Sequence, residues 1–278
     1  RELGIKIKND TRYVWNDDFW EYHFKISDIA RKYFDIKTAG INHFTWMLDV
    51  REKDNGNDVY DILRKKMKNL PIEFEPLTQA MFKVFNYIPV QGDCHIVEYI
   101  SYASDLFSKK FKEYHIGMYD FEWGCRKRDK MWEQIELMIN GELEIDFLKN
   151  TRSEGAEIVI ESIEKNSNHY ESSIFCPNIP NKGNITNLPN DAIVEVPGII
   201  AGNGITGLAM GDMPKQIAEL CNRQIILNDL TVQAVVEGNI KLVYQLFALD
   251  PMINNLDIAI SLADEYIRTN EKYLPTFK

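Results

Sequence analysis

The sequence has no long apolar run, no excess of positive charge and few cysteines. No stretch reaches the roughly 18 uninterrupted apolar residues that a helix needs to cross a bilayer. Lysine and arginine number 32 against 42 aspartate and glutamate, which gives a net charge of −10. This balance is opposite to the basic surface that nucleic-acid binding requires, and there is no basic amphipathic helix for an anionic membrane. The sequence therefore predicts neither a nucleic-acid partner nor a membrane partner.

The cysteines lie far apart in the chain and form no CxxC pair. They are Cys94, Cys125, Cys176 and Cys221. A chain of 278 residues can bury a core without disulfides, so we expect reduced thiols and a cytoplasmic protein. The segment that follows Arg1 has neither the apolar centre nor the cleavage site of a signal peptide. Since the first residue is not methionine, we expect a piece of a longer chain.

What the sequence does contain is typical of a globular α+β protein, with 45% hydrophobic, 12% aromatic and 27% charged residues. Apolar residues at helical spacing predict helices at 19–33, 59–63, 77–85, 96–107, 128–148, 153–165, 214–237, 240–250 and 253–273. Alternation and β-branched runs predict strands at 44–50, 192–201 and 205–210, and polar residues predict a long loop at 166–190. Strands grouped in two places among many helices argue against a doubly wound parallel sheet.

A glycine-rich stretch, Gly202 to Gly207, matches the pattern GxGxxG after a predicted strand. A dinucleotide site needs this motif to open a helix, but Gly211 and Pro214 come before the next predicted helix. The Asn203-Gly204 pair suits the positive φ of a tight turn instead. The stretch therefore predicts a hairpin turn and no Rossmann half within this chain.

Two short segments contain residues of the types that act in catalysis or metal binding. Asn42-His43 follows Gly40 at a strand entry, where a lone histidine is more often a hydrogen-bonded core residue than a metal ligand.

The second segment is a loop that contains Asp93, Cys94 and His95. An aspartate can act as a base, and cysteine and histidine can bind a transition metal. An aspartate before a helix is usually an N-cap, however, and adjacent Cys and His lack the spacing of a zinc site. Glu98 lies three residues after His95, so the two side chains either face one cavity or hydrogen-bond each other.

Several segments together resemble glycoside hydrolase family 4. They are TAGINHFTW at 38–46, GDCHIVEY at 92–99 and NLPNDAIVEVPG at 187–198. The stretch 211–251, with LNDLTVQAVVEGN and LVYQLFALDP, resembles the closing helices of that family. The resemblance extends over roughly residues 25–278.

Members of this family resemble malate and lactate dehydrogenases in architecture, with an NAD-binding Rossmann domain followed by an α+β domain. The resemblance implies that residues 37–278 form the C-terminal substrate, metal and oligomerisation domain, mostly helical with small antiparallel sheets. Residues 1–36 would then be an N-terminal remnant and helix, with the Rossmann domain missing. It also implies a homo-oligomer, and we expect this chain alone to be inactive.

The resemblance further implies hydrolysis of O-glycosidic bonds by a redox route that depends on NAD and a divalent metal such as Mn²⁺. In that route the sugar is oxidised at C3, loses its C2 proton, eliminates the group at C1, adds water and is reduced again. The metal polarises the C3 oxygen. The implied substrate is a small glycoside of the α-glucosidase or α-galacturonidase type.

Site residues carry over from the family one by one. His43 matches the metal-binding histidine, and Asn42 matches a residue that lines the substrate pocket. His95 and Glu98 fall in the second matching segment and are candidate sugar contacts.

The base that removes the C2 proton matches Asp93, although other members use a tyrosine, which makes Tyr99 or Tyr102 the next candidate. Several relatives have an arginine where Cys94 stands, so the identity of the sugar stays open.

Two other functions remain compatible with the residues. The first is a non-catalytic sugar-binding or scaffold domain that retains the fold. A reading frame that continues upstream into a GxG-containing strand would favour the enzyme over this alternative. The second is a dehydrogenase relative that acts on a 2-hydroxy acid, and the lack of an arginine-rich substrate loop counts against it.

Overall fold

A computed structural model describes residues 33–71, 75–101, 121–144, 156–165, 169–170 and 176–278. The helix predicted at 19–33 lies outside the described residues except for its last position. The domain boundary predicted between residues 36 and 37 stays a prediction, and the first strand runs across it.

The described residues form a mixed α+β structure, which confirms the predicted fold class. The strands are β1 (Phe34–Ile41), β2 (Phe44–Glu52), β3 (Ile88–Pro89), β4 (His169–Tyr170), β5 (Asn178–Pro180), β6 (Ile193–Glu195), β7 (Gly198–Ala201) and β8 (Gly204–Gly207). The helices are α1 (Tyr60–Met67), α2 (Pro76–Phe85), α3 (Asp93–Ile96), α4 (Phe121–Ile139), α5 (Ala156–Glu164), α6 (Lys215–Glu237), α7 (Ile240–Leu249) and α8 (Leu256–Thr269), followed by a 3₁₀ turn (Glu271–Tyr273).

These elements fall into two compact units. One contains the described residues within 1–116, 170–199 and 205–278, and the other contains those within 117–169 and 200–204. Helices α4 and α5 belong to the second unit. All predicted site residues belong to the first.

The first unit is built on a five-stranded antiparallel sheet in the order β3-β2-β1-β6-β5. Strands β1 and β2 form a hairpin in which Ile41 pairs with Phe44 across a two-residue turn. The strand predicted at 44–50 is confirmed as β2, whereas β1 is not among the predicted strands. Its register shifts between Lys37 and Thr38, and the small residues that follow break the alternation that identifies a strand.

One face of this sheet packs against α2 and α6 to form the main core. The aromatic side chains of β2 alternate inward, so Phe44 is 1% exposed and Trp46 is fully buried. The buried residues of this cluster include Ala39, Ile41, Phe44, Trp46, Leu77, Met81, Ile96, Ile100, Ile185, Leu188, Val194, Val196, Met213, Ile217, Cys221 and Ile225.

The apolar run predicted as one strand at 192–201 is two strands in different sheets. β6 belongs to the large sheet, whereas β7 belongs to a three-stranded sheet in the order β4-β7-β8. Pro197 lies between them and has no N–H to donate to a ladder. The turn that joins β7 to β8 contains Gly202 and Asn203, and no helix begins between β8 and α6. The hairpin interpretation of the GxGxxG stretch is therefore confirmed.

The C-terminal helices match their predicted positions closely. Asn239 caps α7 by accepting the Lys241 N–H at 3.1 Å, and Asn255 caps α8 by accepting the N–H of Asp257 at 2.9 Å. Ala234, Val243 and Ala263 are buried where α6, α7 and α8 pack together. None of the helices in the described residues is long and apolar enough to span a membrane.

Other elements differ from the sequence prediction in their bounds. The helix predicted at 96–107 is wrong in its described part, because α3 ends at Ile96 and turns follow it; residues 102–107 lie outside the described ones. The helix predicted at 128–148 begins earlier, as α4, and ends at Ile139. The loop predicted at 166–190 contains the short strands β4 and β5.

Candidate functional site

The turn between β1 and β2 presents Asn42 and His43. His43 has φ 57°, in the left-handed region that asparagine and histidine enter more often than most residues do. Both side chains are exposed. Backbone strain of this kind clusters at active sites and is kept only where the surroundings enforce it.

A buried carboxylate holds the amide of this turn. The His43 N–H donates to Glu195 Oε2 at 3.1 Å, and Gln91 Nε2 donates to the other oxygen at 3.4 Å. Glu195 is 7% exposed. Burial raises the pKa of its carboxyl, and the hydrogen bond from His43 opposes this shift by stabilising the carboxylate.

Tyr99 and Asn178 bind the same turn at Asn42. The Tyr99 hydroxyl donates to the Asn42 carbonyl oxygen at 2.5 Å, and its ring stacks on Phe44 with centroids 4.7 Å apart. The Asn178 side chain donates to Asn42 Oδ1 at 3.1 Å. Burial raises the pKa of Tyr99 to about 12, so this phenol keeps its proton at neutral pH. The hydroxyl already donates a hydrogen bond to Asn42, which counts against Tyr99 as the alternative base. Tyr102 lies outside the described residues.

His95 lies beside His43, with ring centroids 4.5 Å apart in an edge-to-face arrangement. Its Nδ1 is buried without a hydrogen-bond partner and lies 3.6 Å from Glu98 Oε2, beyond hydrogen-bond range. The structure therefore brings together four of the predicted site residues, Asn42, His43, His95 and Glu98.

This arrangement suits part of a metal site. Imidazole is a ligand for divalent first-row metals, and the exposed side chain of His43 carries one beside the His95 ring. Within the described ranges, no group of three or more His, Cys, Asp or Glu side chains could hold a metal ion. The described residues thus fit a metal as contributors to a shared site, not as a complete cage.

The Asp93 carboxylate forms its hydrogen bonds at the start of α2. Its carboxylate accepts hydrogen bonds from the Leu77 N–H at 2.8 Å, the Thr78 N–H at 2.7 Å and the Thr78 hydroxyl at 2.8 Å. These donors belong to the first turn of α2, so Asp93 caps that helix from 15 or 16 residues away in sequence. Its assignment as the base stays a prediction alongside this structural role.

Glu75 in turn forms a hydrogen bond with the segment that contains Asp93. It immediately precedes α2, and its Oε2 accepts the Asp93 N–H at 2.6 Å. Gly92 suits this position because its φ is 76° and a Cβ there would make a tight contact of 3.1 Å with the same oxygen. Burial, and after it the negative charge of Asp93, raise the pKa of the Glu75 carboxyl to about 7. The two carboxyl groups therefore favour a state in which Glu75 keeps its proton.

This pair predicts a pH dependence of stability. The pKa of the Glu75 carboxyl is higher in the folded protein than in the unfolded chain, so the protonated carboxyl favours the fold. This stabilisation is complete below the pKa of the unfolded chain and is lost as the pH rises towards about 7. Glu75→Gln resembles the protonated acid and should remove this loss. Between about pH 5 and pH 8 we expect the free energy of unfolding of the wild type to fall by about 2 kcal/mol relative to Glu75→Gln. Urea unfolding across this range measures the difference.

Glu219→Gln removes an exposed carboxylate from α6 and serves as the control. Its stability should follow the wild-type pH curve. Parallel curves for wild type and Glu75→Gln would contradict the raised pKa of Glu75.

Four residues with contacts at the site are not predicted from the sequence: Glu195, Gln91, Asn178 and Glu75. A signal existed for Glu195, because it is a charged residue between valines in an apolar run. A carboxylate in such a strand is either solvent-facing or buried with donors, and here it is buried. The other three act through contacts between distant segments, which no local pattern shows.

A separate cavity of about 410 Å³ lies elsewhere on the first unit. It is lined by Lys37, Leu48, Asp49, Tyr87, Met210, Asp212, Met213 and Pro214. Two of its charged groups already have partners, since Asp49 binds Arg51 and Asp212 binds Thr186. None of the predicted site residues lines it.

Comparison with known proteins identifies the family. Residues 38–253 match the model of the family 4 glycosyl hydrolase C-terminal domain. The chain is 28% identical to an alpha-galactosidase of Bacillus subtilis over 92% of this chain and 59% of that relative. It is also 28% identical to an alpha-glucosidase of Erwinia rhapontici, over 87% of this chain and 57% of the relative.

A solved relative shows the same fold. It is a 6-phospho-alpha-glucosidase from gut microorganisms in complex with NAD and Mn²⁺, with a TM-score of 0.67 and 23% identity over 91% of this chain and 60% of that one. The chain thus spans somewhat more than half the length of the relatives it matches. From the family match over most of its length, we conclude that the chain belongs to family 4 of the glycosyl hydrolases and contains the C-terminal domain of that family.

Proposed function

We propose that this chain forms the substrate-binding and metal-binding part of a glycoside hydrolase that cleaves small O-glycosides by an NAD-dependent redox-elimination route. Family membership supports hydrolysis of a glycoside, and a relative of the same fold holds NAD and Mn²⁺. The observation that carries the proposal is the exposed His43, held at positive φ beside His95. A strained turn that is held by hydrogen bonds on two sides keeps a metal-binding side chain in a fixed position.

The residues of this chain would bind and orient the sugar. The exposed imidazole of His43 would hold the divalent metal, and Asn42, His95 and Glu98 would contact sugar hydroxyls. Asp93 would accept the C2 proton through Oδ2, which has accepted only one hydrogen bond. When bound, NAD supplies reversible oxidation at C3, and the metal supplies Lewis-acid polarisation of the C3 oxygen.

The test uses the protein produced with any coding sequence that precedes Arg1, called here the extended protein. Nitrophenyl α-glycosides with and without 6-phosphate or 6-carboxylate are assayed with NAD⁺, Mn²⁺ and thiol, and C2 exchange is followed in D₂O. The proposal expects hydrolysis that requires both NAD⁺ and the metal, with C2 deuterium incorporated. Hydrolysis without NAD⁺, or sugar binding without turnover, would contradict it, and the second result would support the scaffold alternative.

His43 provides the first mutational prediction. Substitution of His43 by alanine in the extended protein is expected to weaken Mn²⁺ binding at least about 10-fold. Activity should partly return at high Mn²⁺, because mass action refills a weakened site. His43→Asn is the matched variant, since asparagine also tolerates positive φ but lacks the imidazole. Mn²⁺ titrations that give wild-type affinity for both variants would contradict the ligand assignment.

We further propose that the chain is a homo-oligomer. Exposed apolar side chains on α6 and α8 include Val232, Val235, Val236, Leu256, Ile258, Ile260 and Leu262. Light scattering at micromolar concentration should give a multiple of 32.4 kDa. Val236→Lys, at a side chain that is 77% exposed, should increase the monomer fraction, while the control Asn190→Lys should not. A wild-type monomer would contradict the proposal.

A further inference from the structure

The peptide group that joins Asn42 to His43 is held at both of its polar ends. Its carbonyl oxygen accepts the Tyr99 hydroxyl at 2.5 Å, and its N–H donates to Glu195 Oε2 at 3.1 Å. The two partners come from different parts of the chain, since Tyr99 follows α3 and Glu195 ends β6. The described catalytic chemistry uses neither of these hydrogen bonds.

This peptide is the central one of the turn, and its orientation decides the conformation of His43. In a four-residue turn, rotating the central peptide plane by half a turn changes the sign of φ at the third residue. His43 is that third residue, and its φ is 57°. A residue with a Cβ does not prefer this region, so the peptide would relax to the opposite orientation unless it were held.

We propose that Glu195 and Tyr99 are positioning residues that fix the orientation of the Asn42–His43 peptide and thereby direct the His43 imidazole towards His95. The inference deepens the proposed function, on which the assignment of His43 as a metal ligand rests. Glu195 supplies a carboxylate acceptor whose position is fixed by its burial and by the pairing of its backbone with Gly40. Tyr99 supplies a donor whose ring is fixed by stacking on Phe44.

The position of Glu195 in the sheet suits this role. The backbone of Glu195 pairs with Gly40 in the sheet, so its side chain starts from a fixed point next to the turn. Charge-assisted hydrogen bonds to a backbone N–H are stronger than neutral ones. Replacing Glu195 with alanine removes this acceptor and keeps the backbone groups that pair with Gly40.

The experiment observes His43 directly in the 278-residue chain. The chain has five histidines, so selective ¹³C and ¹⁵N labelling of histidine gives few signals. Backbone ¹³Cα and ¹³Cβ shifts report φ at His43, amide exchange reports its hydrogen bond, and a contact between the two rings reports the imidazole direction. The variants are Glu195→Gln, Glu195→Ala, Tyr99→Phe and, as matched control, Gln91→Ala.

We expect Glu195→Gln to keep the wild-type His43 signals, because the amide oxygen can accept the same N–H. Glu195→Ala and Tyr99→Phe should each shift the His43 ¹³Cα and ¹³Cβ signals, speed exchange of its amide and weaken the contact with the His95 ring. Gln91→Ala should leave the His43 signals near their wild-type positions. If Glu195→Ala does not fold, Tyr99→Phe decides the question alone. Unchanged His43 shifts and exchange in Glu195→Ala, or in Tyr99→Phe in that case, would overturn the proposal.

Mn²⁺ broadening of the same signals separates this inference from the proposed function. If His43 binds the metal, half-broadening should need about 10-fold more Mn²⁺ in Glu195→Ala than in wild type or Glu195→Gln. Because the described residues do not form a complete metal cage, this titration uses the extended protein, and if Mn²⁺ broadens no histidine signal there, the assignment of His43 as a metal ligand fails. The metal-free shifts still decide whether Glu195 and Tyr99 position His43.

Discussion

Replacing Gly40 with alanine should lower the free energy of unfolding by about 3 kcal/mol or more. A Cβ at this position would lie 2.2 Å from the Phe44 carbonyl oxygen and 2.8 Å from the Thr45 Cα. Both atoms belong to the backbone of β2, so no change of side-chain rotamer can relieve the overlap. The hairpin would have to open where it carries Asn42 and His43, and the site would be lost together with the stability.

Urea unfolding of the 278-residue chain measures this effect, and Gly56 offers a matched control. Gly56 has φ 71° and no atom within 4 Å of an added Cβ. Gly56→Ala should therefore cost only about 1 kcal/mol of left-handed strain. If Gly40→Ala is no less stable than Gly56→Ala, close backbone approach is not the reason for glycine at position 40.

The same hairpin shows what local sequence patterns could and could not predict. β2 was predicted because Phe44 and Trp46 alternate with polar or smaller residues, and the core is on one side of the sheet. β1 was missed because its alternation stops at the register shift after Lys37. Position 40 is glycine for a packing reason that becomes visible only when β2 lies against β1.

The candidate site shows the same division between local and long-range information. Asn42, His43, His95 and Glu98 were selected from two segments, and the structure places them together. Glu195 and Tyr99 act on the turn from 152 and 57 residues away in sequence. Their role depends on the pairing of β6 with β1 and on the packing of the segment after α3, and neither pairing nor packing follows from periodicity.

Asp93 is the residue for which sequence and structure give two roles. The family resemblance predicts that it is the base, whereas its three hydrogen bonds show that it caps α2. The roles are compatible in principle. Oδ1 accepts two of these bonds and Oδ2 accepts one, so one acceptor position on Oδ2 is left for a sugar proton. A substitution at Asp93 therefore affects stability and chemistry together, and a control must separate the two.

Thr78→Ala provides that control, because it removes the hydroxyl donor to Asp93 and leaves the carboxylate in place. It should lower the free energy of unfolding by about 1 kcal/mol. Asp93→Asn should lower it by about 1–3 kcal/mol, since one amide oxygen replaces two acceptors at the start of α2. Thermal or urea unfolding of both variants gives the folded fraction by which rates are corrected.

For the extended protein, Asp93→Asn should slow C2 proton exchange and hydrolysis by about 10²- to 10⁴-fold, the usual loss when a positioned base is removed. Mn²⁺ affinity should survive, because Asp93 is not the residue proposed to bind the metal. Thr78→Ala, corrected for its folded fraction, should exchange the C2 proton at nearly the wild-type rate. If Asp93→Asn does the same after correction, Asp93 is a cap and not the base. Because the Tyr99 phenol donates its proton to Asn42, the search for the base would then move to residues outside this turn.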